Sequence, residues 1–365
     1  MYSLESKRAA EKNLHTEKRI GTLSKKERVK VNSPSILTQE TGNFLMQQPV
    51  TASTASAASQ EHRSGVVAVI GPPNAGKSTL LNRYLEQKIA IVTPLPQTTR
   101  NRILGIVTGT DYQMIMLDTP GLHKAREMMN QEMVRIAMDT LEEADIVLFL
   151  SDAEAMHALA SDKKRLAKRY AELSNYLSKI QCPAVLALNK VDRLAKEALL
   201  PMIERFTSIH PFRAVVPLSA LEGDGTDTLL HTLVEQLPVG PQYYPEDIPT
   251  DSTERFIVAE LIREQVFLRT RQEIPYSTAV LIDAFKESPQ PHQDGPVVIH
   301  ATILVERGSQ KGIVIGKQGK MLGEIRKAAI KEIEHLLYCK VQLKLWVKVK
   351  KKWTSNEQIL RELGM

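Results

Sequence analysis

Gly71-Pro72-Pro73-Asn74-Ala75-Gly76-Lys77-Ser78-Thr79 matches the pattern G-x-x-x-x-G-K-[ST]. In front of it, Gly65-Val66-Val67-Ala68-Val69-Ile70 is a short β-branched apolar run, expected as a buried strand. Behind it, Leu80-Leu81-Asn82-Arg83-Tyr84-Leu85 spaces its leucines as a helix does. Strand, glycine turn and helix in that order form an anion cradle. Gly71 and Gly76 let the backbone curl so that successive N–H groups point inward, and the positive end of the helix dipole adds to them. Residues 71–79 are therefore expected to hold the phosphates of a nucleotide. Lys77 is expected to reach the β- and γ-phosphates, and the Ser78 hydroxyl to ligate Mg²⁺. A plain strand-to-helix turn is the bland alternative, and the motifs that follow count against it.

Working outward, Thr93-Pro94-Leu95-Pro96-Gln97-Thr98-Thr99-Arg100-Asn101-Arg102 is polar, and its two prolines keep it out of a helix. It is expected to be mobile. Ile103 to Thr108 and Tyr112 to Leu117 read as strands around the Gly109-Thr110-Asp111 turn. The second ends in Asp118-Thr119-Pro120-Gly121, the D-x-x-G pattern, with Leu122 next. A carboxylate at a strand tip can orient Mg²⁺ through water, and the Gly121 N–H can contact a γ-phosphate. That contact is lost when the phosphate leaves, which makes a switch. Asp118 to Leu122 is accordingly assigned to the nucleotide pocket.

Ala184 to Leu188 is a further strand, ending in Asn189-Lys190-Val191-Asp192, the N-K-x-D pattern. A guanine ring presents N1–H and a 2-amino group as donors; the Asp192 carboxylate can accept from both, and adenine offers no such pair. The Asn189 amide can meet the N7 and O6 edge, and the Lys190 stem can cover a ring face. Val215 to Leu218 leads into Ser219-Ala220, where a backbone N–H can donate to O6. The ligand is thus expected to be GTP or GDP. Enzymes that orient the attacking water with a glutamine carry it directly after the D-x-x-G glycine. Leu122 stands there and cannot polarise water. Hydrolysis is therefore assigned to Lys77, Thr99, the Gly121 backbone and Asn74, with Mg²⁺ held by Ser78 and Thr99, and by Asp118 through water. Thr99 is preferred over Thr98.

The totals agree. The chain has 365 residues, enough for two domains and a tail. Its 42% hydrophobic and 25% charged content is that of an ordinary globular protein, and 5% aromatics leave an aliphatic core. A net charge of +6 suits a polyanionic partner. Cys182 and Cys339, far apart, argue for a reducing compartment and against a disulfide framework or cysteine metal site. No apolar run approaches a membrane span; Ile146 to Leu150 has the length of a core strand. Residues 1–62 lack periodicity and contain the low-complexity run from Thr51 to Ser59, so they are expected as a disordered extension. Their acidic residues count against an organelle transit peptide. The nucleotide domain is placed at 63–240 and a proline-rich linker at 241–252. Asp152 to Ile180 is expected as one long, charged helix.

Residues 253–353 read as a second domain: a helix from Thr253, strands at Ser277–Phe285 and Val297–Glu306, a short helix, a second long helix at Met321–Leu337 and a strand at Cys339–Lys350. Gly316-Lys317-Gln318-Gly319, between the last two helices, is the G-x-x-G loop of KH modules, which grips single-stranded nucleic acid. The glycines admit a sugar-phosphate backbone, Lys317 and Lys320 supply charge, and Ile313 and Ile315 border a groove for bases. Lysines alternate with apolar residues along the last strand, up to Lys350-Lys351-Lys352-Trp353. A charged edge strand that resists aggregation explains that pattern as well as RNA contact does. Residues 354–365 are left as a C-terminal tail.

With these residues in hand, the chain from about Gly65 to Trp353 resembles the Era family of GTPases. The likeness rests on Gly71 to Asn82, Gln97-Thr98-Thr99-Arg100, Asp118 to Gly121, Asn189 to Asp192, Ser219-Ala220 and Ile315 to Gly319. It implies a P-loop GTPase domain with a doubly wound, mostly parallel α/β sheet, followed by an α+β type II KH domain. It further implies binding near the 3′ end of small-subunit (16S-type) ribosomal RNA during assembly of the small ribosomal subunit, with some peripheral contact at the inner face of the cell membrane. A cytoplasmic monomer is expected. In relatives with asparagine at the place of Asn74, K⁺ can stand where an arginine finger would. Pro72 and Ala75 replace the family's commoner arginine and valine, and the N-terminal lead is unusual. The rival reading is a membrane-associated GTPase switch in cell-cycle or stress signalling without direct RNA function.

Overall fold

The computed structural model describes residues 61–122, 128–286 and 295–364. The expected disordered extension lies outside them up to residue 60. The first domain runs β1 (Arg63–Ile70), α1 (Lys77–Leu85), β2 (Ile103–Thr108), β3 (Tyr112–Asp118), α2 (Met128–Glu143), β4 (Ile146–Asp152), α3 (Ala153–Ala158), α4 (Lys163–Leu177), β5 (Ala184–Asn189), α5 (Leu199–Ile209), β6 (Ala214–Leu218) and α6 (Thr226–Gln236). Six strands form one sheet in the order β2-β3-β1-β4-β5-β6. β2 is antiparallel to β3 and the other pairs are parallel. The parallel strands read as unbroken apolar runs because helices cover both faces. Val67 and Val69 of β1 enter the core under α1 and α6, while Ala68 and Ile70 enter the one under α2, α4 and α5.

The stretch expected as one helix from Asp152 to Ile180 is two. The Asp152 side chain accepts from Ala155 N–H at 2.9 Å and starts α3; that of Asp162 accepts from Arg165 N–H at 3.0 Å and starts α4. Each aspartate satisfies a free N-terminal donor, so each begins a helix rather than sitting inside one.

The second domain runs α7 (Glu254–Arg269), β7 (Ala279–Lys286), β8 (Val297–Val305), α8 (Gly308–Ile315), α9 (Lys320–Leu337) and β9 (Val341–Val349). Its sheet has the order β7-β8-β9, antiparallel then parallel. Ile299, Ala301 and Ile303 of β8 face Leu261 of α7 and Ile325 and Ala329 of α9, and this core is continuous with the α1 side of the first.

Two segments expected as peripheral are built in. Residues 241–252 do not hang free. Ile106 N–H donates to the Pro249 carbonyl at 2.8 Å, Thr250 Oγ1 donates to that of Leu104 at 2.5 Å, and Gln113 Oε1 accepts from the N–H groups of Tyr243 and Tyr244. The segment thus covers the exposed edge of β2. The expected tail forms α10 (Glu357–Glu362), capped by Asn356, whose Oδ1 accepts from Ile359 N–H at 3.1 Å. Ile359 and Leu360 pack with Trp353 against Met129 and Met133 of α2 and Ala279 and Leu304 of the small sheet. Trp353, expected as a basic aromatic end, is fully buried and donates its Nε1–H to the Ser277 carbonyl at 2.9 Å. Burying such a ring contributes about 3 kcal/mol and pins the segment that follows β9 to the domain.

Candidate nucleotide site and nucleic-acid interface

The sequence-predicted residues of the first domain meet at the carboxyl ends of β1, β3, β5 and β6, where open α/β sheets bind ligands. A cavity of about 390 Å³ there is lined by Pro73, Asn74, Gly76, Lys77, Ser78, Thr79, Thr99, Gly121, Asn189, Lys190, Asp192, Ser219 and Ala220, while Gly71, Pro72, Ala75, Asp118, Thr119, Pro120 and Val191 are not on its wall. Gly76 is the residue before α1 and has φ 97°. A Cβ there would lie 2.1 Å from Asn189 Nδ2. Glycine therefore keeps open the corner where phosphate loop and base-reading turn meet.

Lys77 is buried, and its Nζ donates to the carbonyls of Gly71 at 3.3 Å and Pro72 at 3.1 Å, folding back over the loop. Burial pulls its pKa down, and the Asp118 carboxylate partly restores it. Phosphate oxygens are the anions this ammonium is placed to meet. Asp118 is fully buried; burial pushes its carboxyl up to about 6, against the opposing pull of Lys77 and the hydroxyls of Ser78 and Thr99. Ser78 Oγ donates to Asp118 Oδ2 at 2.5 Å and lies 2.9 Å from Thr99 Oγ1, while Asp118 Oδ1 is buried without a hydrogen-bond partner. Three hard oxygen groups in one spot, one with an orphaned acceptor, fit Mg²⁺. Thr98 also lines the cavity, but its hydroxyl is engaged within its own segment: Oγ1 donates to the Leu95 carbonyl at 2.7 Å. Thr119 Oγ1 donates to the Val69 carbonyl at 2.8 Å and so locks the D-x-x-G turn to β1.

Three placements differ from expectation. The Leu122 side chain is in the core beside Ile70 and Ala137, while its N–H donates to the Gly71 carbonyl at 3.0 Å; it braces the phosphate loop and does not line the pocket. The Asn189 amide is spent inside the protein: Nδ2 donates to the Ala75 carbonyl at 2.7 Å and Oδ1 accepts from Ala220 N–H at 2.8 Å. It ties phosphate loop to base-reading loop. Ser219 N–H donates to the Asp224 carbonyl. Both expected O6 donors are therefore taken, and Leu221, which also lines the cavity, carries the next N–H. Asp192 sits in a short turn, Val191–Arg193, on the cavity wall, and Lys190 Nζ is fixed 2.5 Å from Asp152 Oδ2. Asn74 Nδ2 donates to the Pro94 carbonyl at 2.9 Å, linking the phosphate loop to residues 93–102.

That segment, expected as mobile, is coil docked on the second domain. Arg263 Nη2 donates to the Thr98 carbonyl at 2.6 Å, and the Arg100 guanidinium donates to the carbonyls of Pro275, Tyr276 and Thr278. Sequence reading missed both arginines; only the Gln97 to Arg100 run could have pointed to one of them.

On the second domain, Gly316-Lys317-Gln318-Gly319 turns between α8 and α9 with φ 74° at Gly316 and 76° at Gly319. Lys317, Gln318 and Lys320 are exposed, as is Ile313, and Ile315 is half-buried. No atom lies within 4 Å of a Cβ built on Gly319, so that side of the loop is open. The exposed aromatic of β9 is Trp346, not Trp353: it stands 48% exposed between Lys344 and Lys348, its ring 5.3 Å from that of His300.

This architecture and these two sites define a P-loop GTPase carrying a KH domain. A family model described as "50S ribosome-binding GTPase" matches residues 66–190, and one described as "KH domain" matches residues 273–354. GTPase Era of Geotalea uraniireducens is 48% identical over 305 residues, covering 84% of this chain and 98% of its own. GTPase Era of Geobacter metallireducens is 49% identical over 303 residues, 83% of this chain and 97% of its own. Two crystal structures share the fold at 38% identity, each covering 83% of this chain and 99% of its own. One is Era in complex with MgGDPNP and nucleotides 1506–1542 of 16S ribosomal RNA, with a TM-score of 0.76; the other is a point variant of Aquifex aeolicus Era bound to GDP and AlF4⁻, with a TM-score of 0.75. The chain belongs to the Era family of GTPases and hydrolyses GTP. Among the described residues, no helix is long and apolar enough to cross a membrane.

Proposed function

We propose that the chain grips small-subunit ribosomal RNA near its 3′ end through the KH loop, that bound nucleotide sets that grip, and that the pair acts in assembly of the small ribosomal subunit. The observation that carries this is the junction of the two sites: the segment bearing Thr99 is bonded to the domain bearing Gly316 to Gly319. The likeness to Era bound to 16S ribosomal RNA supports it.

The pocket residues act as follows. Asp192 accepts from the guanine N1–H and 2-amino group and selects GTP and GDP. With the N–H groups of Ser219 and Ala220 engaged, the Leu221 N–H donates to guanine O6. Backbone donors from Gly71 to Thr79 and the Lys77 ammonium hold the phosphates. Ser78 and Thr99, with Asp118 behind, hold Mg²⁺, which neutralises charge building on the phosphates. The Gly121 backbone reads the γ-phosphate. Asn74 and the Pro94 carbonyl, already joined, are the groups beside which K⁺ would supply the charge that an arginine finger supplies elsewhere. On the KH side, Lys317 and Lys320 meet phosphates, and Ile313 and Ile315 border the bases. The protein works as a cytoplasmic monomer with peripheral membrane contact, the last tested by flotation with liposomes in the absence of RNA.

The experiment for the main reading is crosslinking in cells with the protein held in the GTP state by a non-hydrolysable analogue, followed by sequencing of the attached RNA. Reads concentrated at the 3′ end of small-subunit ribosomal RNA are expected. Reads spread over unrelated RNAs would overturn the reading. Single-turnover hydrolysis that is equal in Na⁺ and K⁺ buffers would remove the cation.

A further inference from the structure

Four anchors tie residues 92–101 to the second domain or its C-terminal extension, besides the Asn74–Pro94 and Ser78–Thr99 bonds within the first. Val92 N–H donates to Glu264 Oε1 at 3.0 Å. The Thr98 carbonyl accepts from Arg263 Nη2 at 2.6 Å. Arg100 donates to the carbonyls of Thr278 at 2.8 Å, Tyr276 at 2.8 Å and Pro275 at 3.1 Å. Asn101 Nδ2 donates to the Leu363 carbonyl at 2.8 Å. Thr99 lies between the second and third anchors, with a fixed neighbour on each side, and its hydroxyl is 2.9 Å from Ser78 Oγ.

The third anchor is costly. Arg100 and Arg263 are 3% and 2% exposed, Arg100 stands 5.9 Å from the Phe267 ring and 5.7 Å from that of Trp353, and among the described residues only Arg263 of the two has a carboxylate partner, Glu260. Arg100 Nε and Arg263 Nη1 are buried without partners. Each of these donors has given up its hydration without a replacement bond. Apolar side chains of similar volume would pack this corner at lower cost. What the arginines hold, rather than stability, accounts for them.

We propose that the corner formed by α7 and residues 275–278 sets the metal-ligand position of Thr99, with Arg100 and Arg263 as positioning residues. The KH domain thereby completes the GTPase site, and a shift of α7 or β7 on RNA binding acts on the metal first. This rests on the reading of Thr99 as a Mg²⁺ ligand, and the test separates the two.

In the full chain, the Mg²⁺ dependence of fluorescent GDPNP binding is measured for Thr99→Ala, Arg100→Ala, Arg100→Lys and Arg263→Gln, alongside hydrogen exchange without nucleotide. Thr99→Ala and Arg100→Ala are each expected to raise the Mg²⁺ needed for half-saturation by about tenfold, within the usual size of a coupling between sites. Arg100→Lys keeps the charge but cannot reach three carbonyls, and is expected to fall between Arg100→Ala and wild type. Arg263→Gln is expected to shift the same way as Arg100→Ala. In Arg100→Ala, exchange is expected to rise over residues 92–102 while α7 and β7 stay protected. A shift in Thr99→Ala with none in either Arg100 variant overturns the proposal alone. No shift in Thr99→Ala overturns the metal assignment and the proposal with it. Faster exchange spread through α7 and β7 would make Arg100 a residue of the general fold, and would also overturn it.

Discussion

The nucleotide pocket and the KH loop are built on opposite terms. In the pocket the polar groups are already bonded to one another: Lys77 to the loop carbonyls, Ser78 to Asp118, Asn189 to both Ala75 and Ala220. In the KH loop, Lys317, Gln318 and Lys320 are exposed. The first is a preorganised mould for a small ligand of fixed shape, where each donor is set before binding and little ordering remains to be done. The second is an open rail for a flexible polymer, where charge and backbone clearance matter more than any single angle. Substitutions in the first should therefore act like removal of a part, and those in the second like a change of charge or friction.

Four predictions sharpen that contrast. Lys77→Ala should cost about a thousandfold in kcat/KM for GTP, the scale of a lost transition-state charge partner. RNA binding measured without nucleotide should be unaffected; a parallel loss there would show that the sites are not separable. Asp192→Asn should weaken GTP about a hundredfold through loss of charge-assisted bonds to the guanine edge, and preference should drift to xanthosine nucleotides in competition binding. Neutralising Lys317 and Lys320 together should weaken RNA about tenfold and lower the salt slope of log Kd by about two, leaving GTP affinity alone. An unchanged slope would mean that neither lysine meets a phosphate. Gly319→Ala forces a residue with a Cβ to φ 76°. It should cost about 1 kcal/mol, or about fivefold in RNA affinity, since nothing near that Cβ resists it.

The sequence exposed the parts of each site whose chemistry demands a particular residue at a strand or helix end. The phosphate loop, D-x-x-G, N-K-x-D and G-x-x-G are of that kind, and so are the apolar runs of a sheet covered on both faces. Contacts made across the fold were not legible. Nothing local says that Asn189 is used up between two loops, or that Arg100 leaves its own domain to meet three carbonyls. Trp353 looked like a basic end because its lysines precede it; only the folded chain shows the apolar patch of α2 and the small sheet that takes it in. Asn356 before Ile359 and Leu360 was a readable helix start, and Asp162 before Lys163 was another. Both were obscured by the strong charge around them. The docking of residues 92–101 depends on Arg263 and Glu264, which lie far along the chain and read locally as parts of an ordinary amphipathic helix.

If the mould and the rail are joined through residues 92–101, each ligand must change the other's affinity by one common factor. The direct measurement is a thermodynamic square: RNA carrying the 3′ end of the small-subunit sequence titrated onto the full chain with GDPNP or without nucleotide, and GDPNP titrated with or without that RNA. The account predicts tighter binding of each in the presence of the other, by equal ratios. An RNA affinity that is the same with and without GDPNP would contradict it.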